Sequence, residues 1–450
     1  MITYSIIQKS QLEGALRLDA EYYQPEYLNL ISKIKNQKSK LLKDFLELLY
    51  RYPTFYNLQY YKKGVLVLKG EDILPEGFIQ NQSQDYISEE DARRFPKTML
   101  KEGNLIFSVR GYVGKVGIID KKYAGSIISA NLIRAVIKEI SPYFLWVYLN
   151  SKYGLKQIDR TKMLTAQETI IADDIKNFLV PEINREKEID IEKLAKQAIN
   201  KLRESESLYS QAENLLLEEL GLKDFEVEED LSYIVNLSEI KSAHRADAEY
   251  FQPKYEKLIE KIRKYSSASL LDLVQNVPAR FNPKSQPTKL FRYVELSNIT
   301  SSVGTIDGFS EVLGNEAPSR AKRVLKADDV IFSSVEGSLG KVALVGKEQE
   351  GCLASNGFFQ FRTKDILPEV LLVLAKSFVL QMQFERETAG TILTAVPKEA
   401  VKNIIVPRIK KSIQQKIADL VQKSHRAHQK AKQLLEEAKQ KVENLIEVNL

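Results

Sequence analysis

Apolar residues recur at steps of three and four along two long stretches of this 450-residue chain. The later stretch carries Ile413, Ile417, Leu420, Ser424, Ala427, Ala431, Leu434, Ala438, Val442 and Leu445; the earlier carries Ile191, Leu194, Ala198, Leu202, Ser205, Tyr209, Ala212, Leu216 and Leu220. Glu, Lys, Gln and Arg fill the other faces, so each stripe reads as a coiled-coil seam. Neither helix can bury its stripe alone. The small seam residues Ala198, Ser205, Ala212, Ser424, Ala427 and Ala431 let two backbones approach closely, and the two helices are expected to pair with each other. From Ile413 to Leu445 such a helix is a rod of roughly 48 Å, which suits a spacer between two globular modules.

Between the rods the pattern changes to short β-rich runs separated by glycine turns. GVLVLKGEDIL (64–74), NLIFSV (104–109) and SANLIRAVI (129–137) have counterparts in FRYVELSNI (291–299), DVIFSS (329–334) and SNGFFQFRT (355–363). Helical stretches follow at 141–158 and 368–384, and a helix also opens each half, where Tyr27, Leu30, Ile31 and Ile34 answer Tyr255, Leu258, Ile259 and Ile262. Each module is therefore expected to be mixed, a curved sheet with flanking helices.

These correspondences are an internal repeat. RLDAEYYQPEY (17–27) returns as RADAEYFQPKY (245–255), an offset of 245 − 17 = 228. Gly114-Lys115-Val116 matches Gly340-Lys341-Val342 and Val180-Pro181 matches Val406-Pro407, each 226 apart. The chain reads as two tandem units, each a mixed module followed by a long helix. The expected divisions are a first module at 1–180, a first rod and acidic, glycine-marked hinge at 181–226, a second module at 227–406 and a second rod at 407–450.

Composition narrows the chemistry. With 44% hydrophobic and 28% charged residues the chain has the make-up of an ordinary globular protein. No apolar run approaches a membrane span, and MITYSIIQKSQ lacks the layout of a secretory signal, so a cytoplasmic location and no membrane partner are expected. One cysteine, Cys352, excludes an internal disulfide, and three histidines make a Cys/His zinc site implausible. His425 and His428 are read as solvated polar positions beside the seam, and Cys352 as a small core residue.

Catalytic signatures are missing. There is no Asn-Pro-Pro-aromatic or Asp-Pro-Pro-aromatic loop for adenine methylation, no Walker loop, no HExxH and no nucleophile elbow. GYVGKVG (111–117) lacks the Gly-Lys-Ser/Thr ending of a phosphate loop and reads as a tight turn between strands. No catalytic residue, cofactor site or metal site is assigned.

The net charge of +6, from 66 basic and 60 acidic residues, is mild. Its distribution says more. Basic and aromatic residues cluster where secondary structure breaks, as on a surface that meets phosphates and base edges. In the first copy these are Arg51, Tyr56, Tyr60, Tyr61, Lys62 and Lys63; Arg93, Arg94 and Lys97; Arg110, Tyr112 and Lys115; Arg160 and Lys162. In the second they are Arg280, Lys284, Lys289 and Arg292; Arg320, Lys322 and Arg323; Ser334, Glu336, Ser338 and Lys341; Arg386, Thr388 and Thr391. Scaffold segments are shared between the copies, whereas 51–63 and 278–290 share almost nothing, as two readers tuned to different sequences on one chassis would.

The order and repetition of DAEYYQPEY/DAEYFQPKY, NLIFSVRGYVGKVGI/DVIFSSVEGSLGKVAL, LNSKYGLKQ and LVPEI/IVPRI with the rods that follow resemble the DNA-specificity subunit of type I restriction-modification systems along the whole chain. The resemblance implies an α+β fold in which two pseudo-symmetric target-recognition domains are separated by two long antiparallel helices. It implies binding to a bipartite site in double-stranded DNA, one half per domain, with the gap set by the helices. It also implies docking of two methyltransferase subunits and of restriction/translocase subunits, with S-adenosylmethionine and ATP used by those partners and not by this chain. The specificity chain of a fused type II restriction-modification enzyme and a coiled-coil scaffold without DNA binding are the competing readings.

Overall fold

Pro25, Pro142, Pro253 and Pro368 each open a helix, the one place where a missing N–H leaves no hydrogen bond unmade. The computed structural model describes residues 4–10, 12, 17–51, 58–162, 168–226, 232–390 and 394–448. In the first copy, α1 (Pro25–Lys35) leads to β1 (Ser39–Leu41), β2 (Leu46–Arg51), β3 (Val65–Leu68), β4 (Tyr86–Ile87) and the short α2 (Glu89–Arg93). Then come β5 (Leu105–Ser108), β6 (Val116–Ile118), β7 (Ile127–Ile128), β8 (Leu132–Ile137), α3 (Pro142–Leu149), α4 (Lys152–Thr161), α5 (Ala172–Lys176) and β9 (Leu179–Pro181). The first long helix, α6, spans Arg185–Glu219.

The second copy opens with α7 (Leu237–Ala243), α8 (Pro253–Arg263), β10 (Ser267–Ser269), α9 (Leu270–Leu273), β11 (Val274–Asn276) and β12 (Leu290–Val294). β13 (Ile299–Thr300), β14 (Thr305–Ile306), β15 (Ser310–Leu313), β16 (Ala321–Val324), β17 (Val330–Ser333), β18 (Val342–Leu344), β19 (Leu353–Ser355) and β20 (Phe358–Thr363) follow. The copy closes with α10 (Pro368–Lys376), α11 (Phe378–Arg386), β21 (Ile405–Pro407) and the second long helix, α12 (Lys411–Val448).

The sheets repeat with the sequence. An antiparallel sheet ordered β2-β8-β5-β6 in the first copy is β11-β20-β17-β18 in the second, and the parallel pair β3/β7 recurs as β12/β19. Each Val-Pro lies on a two-stranded clasp, Lys40 opposite Val180 and Ala268 opposite Val406, so the end of a module is tied to its beginning just before the long helix starts. One buried joint shows the same frame built from different residues. In the first copy Arg134 donates to Asn104 Oδ1 (2.7 Å) and the Lys97 carbonyl (2.9 Å); in the second Gln360 donates to Asp329 Oδ2 (2.7 Å) and the Val324 carbonyl (3.0 Å). The carboxylate gained in the second copy is met by Arg362 at 2.8 Å.

The helical stretches after the sheets are each broken in two. Asn150 ends α3 by donating to the Val116 (3.0 Å) and Trp146 (2.9 Å) carbonyls, and Ser377 stands between α10 and α11 with its hydroxyl on Leu374 O at 2.8 Å. α3 is buried from Tyr143 to Leu149, and its Trp146 donates to the Gly77 carbonyl at 3.1 Å. α6 ends in a Schellman turn: Leu222 N bonds Leu217 O (2.8 Å), Gly221 N bonds Glu218 O (3.0 Å), and Gly221 supplies the left-handed φ of 60°.

Residues Met1–Leu202 with Gln429–Leu450 form one compact unit and Arg203–His428 the other. In the first, Ile191, Ala195, Ala198 and Leu202 share a core with Ala431, Leu435, Ala438 and Val442. In the second, Tyr209, Ala212, Leu216 and Leu220 share one with Ile417 and Val421, and Lys410 pairs with Glu219 at 3.2 Å. The start of each helix thus meets the end of the other, so α6 and α12 pack antiparallel. The fold class is α+β, with two mixed modules and a long helix pair.

The histidines correct the sequence reading. His425 and His428 are not solvated: His425 donates to the Val303 carbonyl at 2.8 Å, and His428 Nε2 meets Asp307 Oδ2 at 2.7 Å with only 5% of the residue exposed. Burial pushes the His425 imidazole down to about 4. Cys352 is buried among Val294, Ile331, Ala343 and Phe358, which raises its thiol. Among the described residues no helix is long and apolar enough to cross a membrane, and no group of three His, Cys, Asp or Glu is placed to hold a metal.

Candidate nucleic-acid interface

The candidate cations fall into two kinds once their surroundings are compared. In each copy one tyrosine ring is gripped by two guanidinium groups. Arg17 and Arg160 stand 4.6 and 3.8 Å from the Tyr22 ring centroid, and Arg245 and Arg386 stand 4.5 and 4.6 Å from that of Tyr250. Arg17 and Arg245 each fork onto the aspartate two residues on, with Nε–Oδ1 distances of 2.8 Å to Asp19 and Asp247. Arg160 and Arg386 donate to the Tyr22 (2.9 Å) and Tyr250 (3.2 Å) carbonyls, and Arg386 also meets Glu256 at 2.7 Å. The Arg-x-Asp-Ala-Glu-Tyr repeat therefore fastens the opening turn of a module to α4 or α11, and Arg160 and Arg386 are engaged inside the module.

Lys115 and Lys341 make a second matched clamp, donating to the Ile73 (2.6 Å) and Ile299 (3.1 Å) carbonyls. Burial lowers the Lys341 ammonium. Ser338 bonds Ser333 Oγ (2.9 Å) and Val335 O (3.0 Å) within its own turn. Arg323 is a core residue, 3% exposed, donating to the Val277 carbonyl and pushed down to about 10 by burial. Several of the patches that recur in sequence thus recur because they hold the frame.

The remaining candidates differ between the copies and face outward. Arg110 is exposed just beyond β5 and Arg51 is half-buried at the end of β2; these strands flank β8, so both residues leave the sheet at one end. Burial and the charge of Arg110 both lower Arg51. Tyr112 is exposed beside them, with Lys115 Nζ 4.7 Å from its ring centroid. Tyr60, Tyr61, Lys62 and Lys63 are exposed ahead of β3, Lys69 lying 5.4 Å from the Tyr60 ring centroid. Arg93 and Arg94 are exposed but paired with Glu89 and Asp91, both at 2.9 Å, while Lys97 is exposed 5.9 Å from the Tyr50 ring centroid and Lys162 pairs with Asp159 at 2.7 Å. Tyr56 and Thr391 lie outside the described residues.

In the second copy, Arg280, Lys284 and Lys322 line an open groove of about 440 Å³ with Phe281, Pro283 and Ala317. Lys289 stands 5.1 Å from the Phe291 ring centroid and Arg292 5.1 Å from that of Phe309, and Arg320 is exposed next to the groove. The Glu336 carboxylate accepts from the Thr394 hydroxyl.

No protein-family model matches the chain, and none of the curated proteins compared matches it. Three solved structures are similar over 92% of its length at 14% identity. One is the S subunit of a type I restriction-modification system from M. genitalium, 95% covered, with a TM-score of 0.39. The others are a chain from work on complex assembly and conformational transition of the type I R-M system, 96% covered, and the HsdS subunit from Thermoanaerobacter tengcongensis, 97% covered, each with a TM-score of 0.29.

Sequence reasoning did not pick out Arg17 and Arg245, although they stand at the head of the longest repeat, nor the apolar floor that Phe281 and Ala317 give the second-copy groove. The first had a signal: an arginine and an aspartate two apart, kept together in both copies. The second had none, because Phe281 and Ala317 are distant in sequence and meet only when the strands assemble.

Proposed function

We propose that this chain is the DNA-specificity subunit of a type I restriction-modification system, reading a bipartite duplex target with one half-site per module. The observation that carries the reading is one frame built twice, with equivalent sheets, clasps and buried clamps, whose outward-facing residues do not repeat: Arg51, Arg110 and Tyr112 gather at one end of a sheet in the first copy, and Arg280, Lys284 and Lys322 line a groove in the second. A binder of identical targets would keep those residues alike, and a scaffold without nucleic acid would have no use for unpaired cations there. The long helices set the gap between half-sites and, with the repeated surfaces, receive two methyltransferase subunits and the restriction/translocase subunits. S-adenosylmethionine and ATP act in those partners, and this chain does no covalent chemistry.

The deciding experiment maps methylated adenines across the host genome with and without this gene. A bipartite motif with a constant gap should vanish on deletion. An unchanged methylome would leave the scaffold reading, which predicts no effect on methylation.

A further inference from the structure

The loop after β5 and the loop after β17 start from the same backbone geometry. Val109 N bonds Asn131 O (3.0 Å) and Ile170 N bonds Val109 O (3.3 Å); Ser334 N bonds Gly357 O (2.8 Å) and Val396 N bonds Ser334 O (2.8 Å). The next residue bridges across the same gap in each case, Arg110 to Thr169 and Val335 to Ala395. Farther on, the Lys115 and Lys341 clamps fix the other end of each loop. One shared backbone position therefore carries a long forked cation in one module and a short branched hydrocarbon in the other. Arg110 is exposed, and among the described residues no carboxylate pairs with it or with Arg51.

We propose that Arg110 and Val335 are specificity-determining residues at one shared position: Arg110 reads a guanine in the first half-site, and Val335 selects a thymine methyl at the corresponding place in the second. This rests on the DNA-reading function above. A guanidinium fork matches the O6 and N7 acceptors of guanine in the major groove, and a hydrocarbon side chain matches the thymine C5-methyl. A phosphate contact carries no sequence information, and contacts of that sequence-neutral kind would be expected to repeat, as the buried clamps do. Here the backbone is preserved while the side chain changes from cation to hydrocarbon, as expected of a residue that discriminates bases. Arg51, emerging at the same sheet end, adds a second positive charge that favours the acceptor edge of guanine.

The test selects binding sites for the full chain, assembled with its methyltransferase partner, from randomised bipartite duplexes. Arg110→Lys keeps the charge and loses the fork. It should cut guanine preference at one position of one half-site by roughly ten- to hundred-fold, leaving the other half-site intact. Val335→Thr, which keeps a methyl group, should retain thymine, whereas Val335→Arg should move that position toward guanine. Undiminished preference in Arg110→Lys, or an Arg110→Gln variant whose weakening is spread evenly over all sequences with a smaller salt dependence, would overturn the proposal and make Arg110 a phosphate contact. Thermal melting checks that the substitutions leave the fold intact. A wild-type assembly that selects no sequence would sink the DNA-reading function itself, an outcome distinct from these.

Discussion

Ser205 and Ser424 donate their hydroxyls to each other's backbone carbonyl, both at 2.7 Å, with the two oxygens 3.1 Å apart and both residues fully buried. The contact is unchanged by exchanging the two helices, so it fixes the register of an antiparallel pair from both sides at once. Backbones can come this close only because the residues are small. Ser205→Ala or Ser424→Ala should each cost about 1 kcal/mol, the worth of a lost hydrogen bond. Ser205→Leu should cost more, about 1–3 kcal/mol, by forcing the backbones apart. Denaturant unfolding of the three variants checks the order; a harmless leucine would mean that the seam does not close at this level.

His425 gives the second unit a pH dependence. It is neutral and largely enclosed in the folded chain, bonded to Val303 O, with His428, Asp307 and Lys376 around it, and its pKa lies at about 4 against 6.5 unfolded. As pH falls below 6.5 the unfolded chain takes up a proton that the folded one refuses, so stability present above that value is lost progressively down to about 4. Near pH 4.5 the loss attributable to this group should be about 2–3 kcal/mol. His425→Gln, which keeps a donor and does not titrate, should lose correspondingly less between pH 7 and 4.5 in urea melts. Parallel losses in the two proteins would assign the effect to another group.

The gripped tyrosines make a prediction that separates frame from reader. Tyr22→Leu and Tyr250→Leu each remove a ring held between two arginines and should cost about 1–2 kcal/mol, while Tyr22→Phe, which keeps the ring, should cost little. None of the three should alter which DNA sequence is preferred. A changed preference would place this joint nearer the DNA than its position beside α4 and α11 suggests.

The long helices and the repeat were legible because they are local or periodic. A stripe at steps of three and four names its own buried face, and Ala198, Leu202, Ser205, Ala212, Leu216, Ala431, Ala438 and Val442 are all buried as that stripe requires. The cations were harder to interpret. Lys115, Lys341, Arg160 and Arg386 stand in loops or at helix ends, as surface residues do, and only the distant carbonyls of Ile73, Ile299, Tyr22 and Tyr250 show that they face inward. The same holds for His425 and His428, whose helix face is covered by Val303 and Asp307 from more than a hundred positions away in the chain. Recurrence in sequence marked what the frame needs.

Clamp and exposed lysines can be told apart through salt. If Lys284 and Lys322 meet the duplex along the second-copy groove, replacing either by Gln should lower the slope of log affinity against log salt by about one. Lys341→Met should leave the slope as it is and instead reduce stability by about 1–3 kcal/mol, because the Ile299 carbonyl loses its partner. Filter binding across a salt series and a parallel melt distinguish the two outcomes, and an unchanged slope for Lys284→Gln would take that residue off the DNA.

If the helices act as the ruler, their length and not their surface chemistry sets the gap. Removing one heptad from α6 and the facing heptad from α12 keeps the seam in phase, since seven residues return the stripe to nearly the same face, and shortens each rod by about 10 Å. Both modules keep their own sheets, clasps and clamps, so each should keep its own half-site. Methylation mapping in a host carrying the shortened chain should then find the two original half-sites with fewer base pairs between them. Changing α6 alone should break the register at Ser205 and Ser424 and abolish methylation. A shortened chain that still methylates at the original spacing would show that the gap is fixed by the partner subunits, leaving the helix pair as a docking platform only.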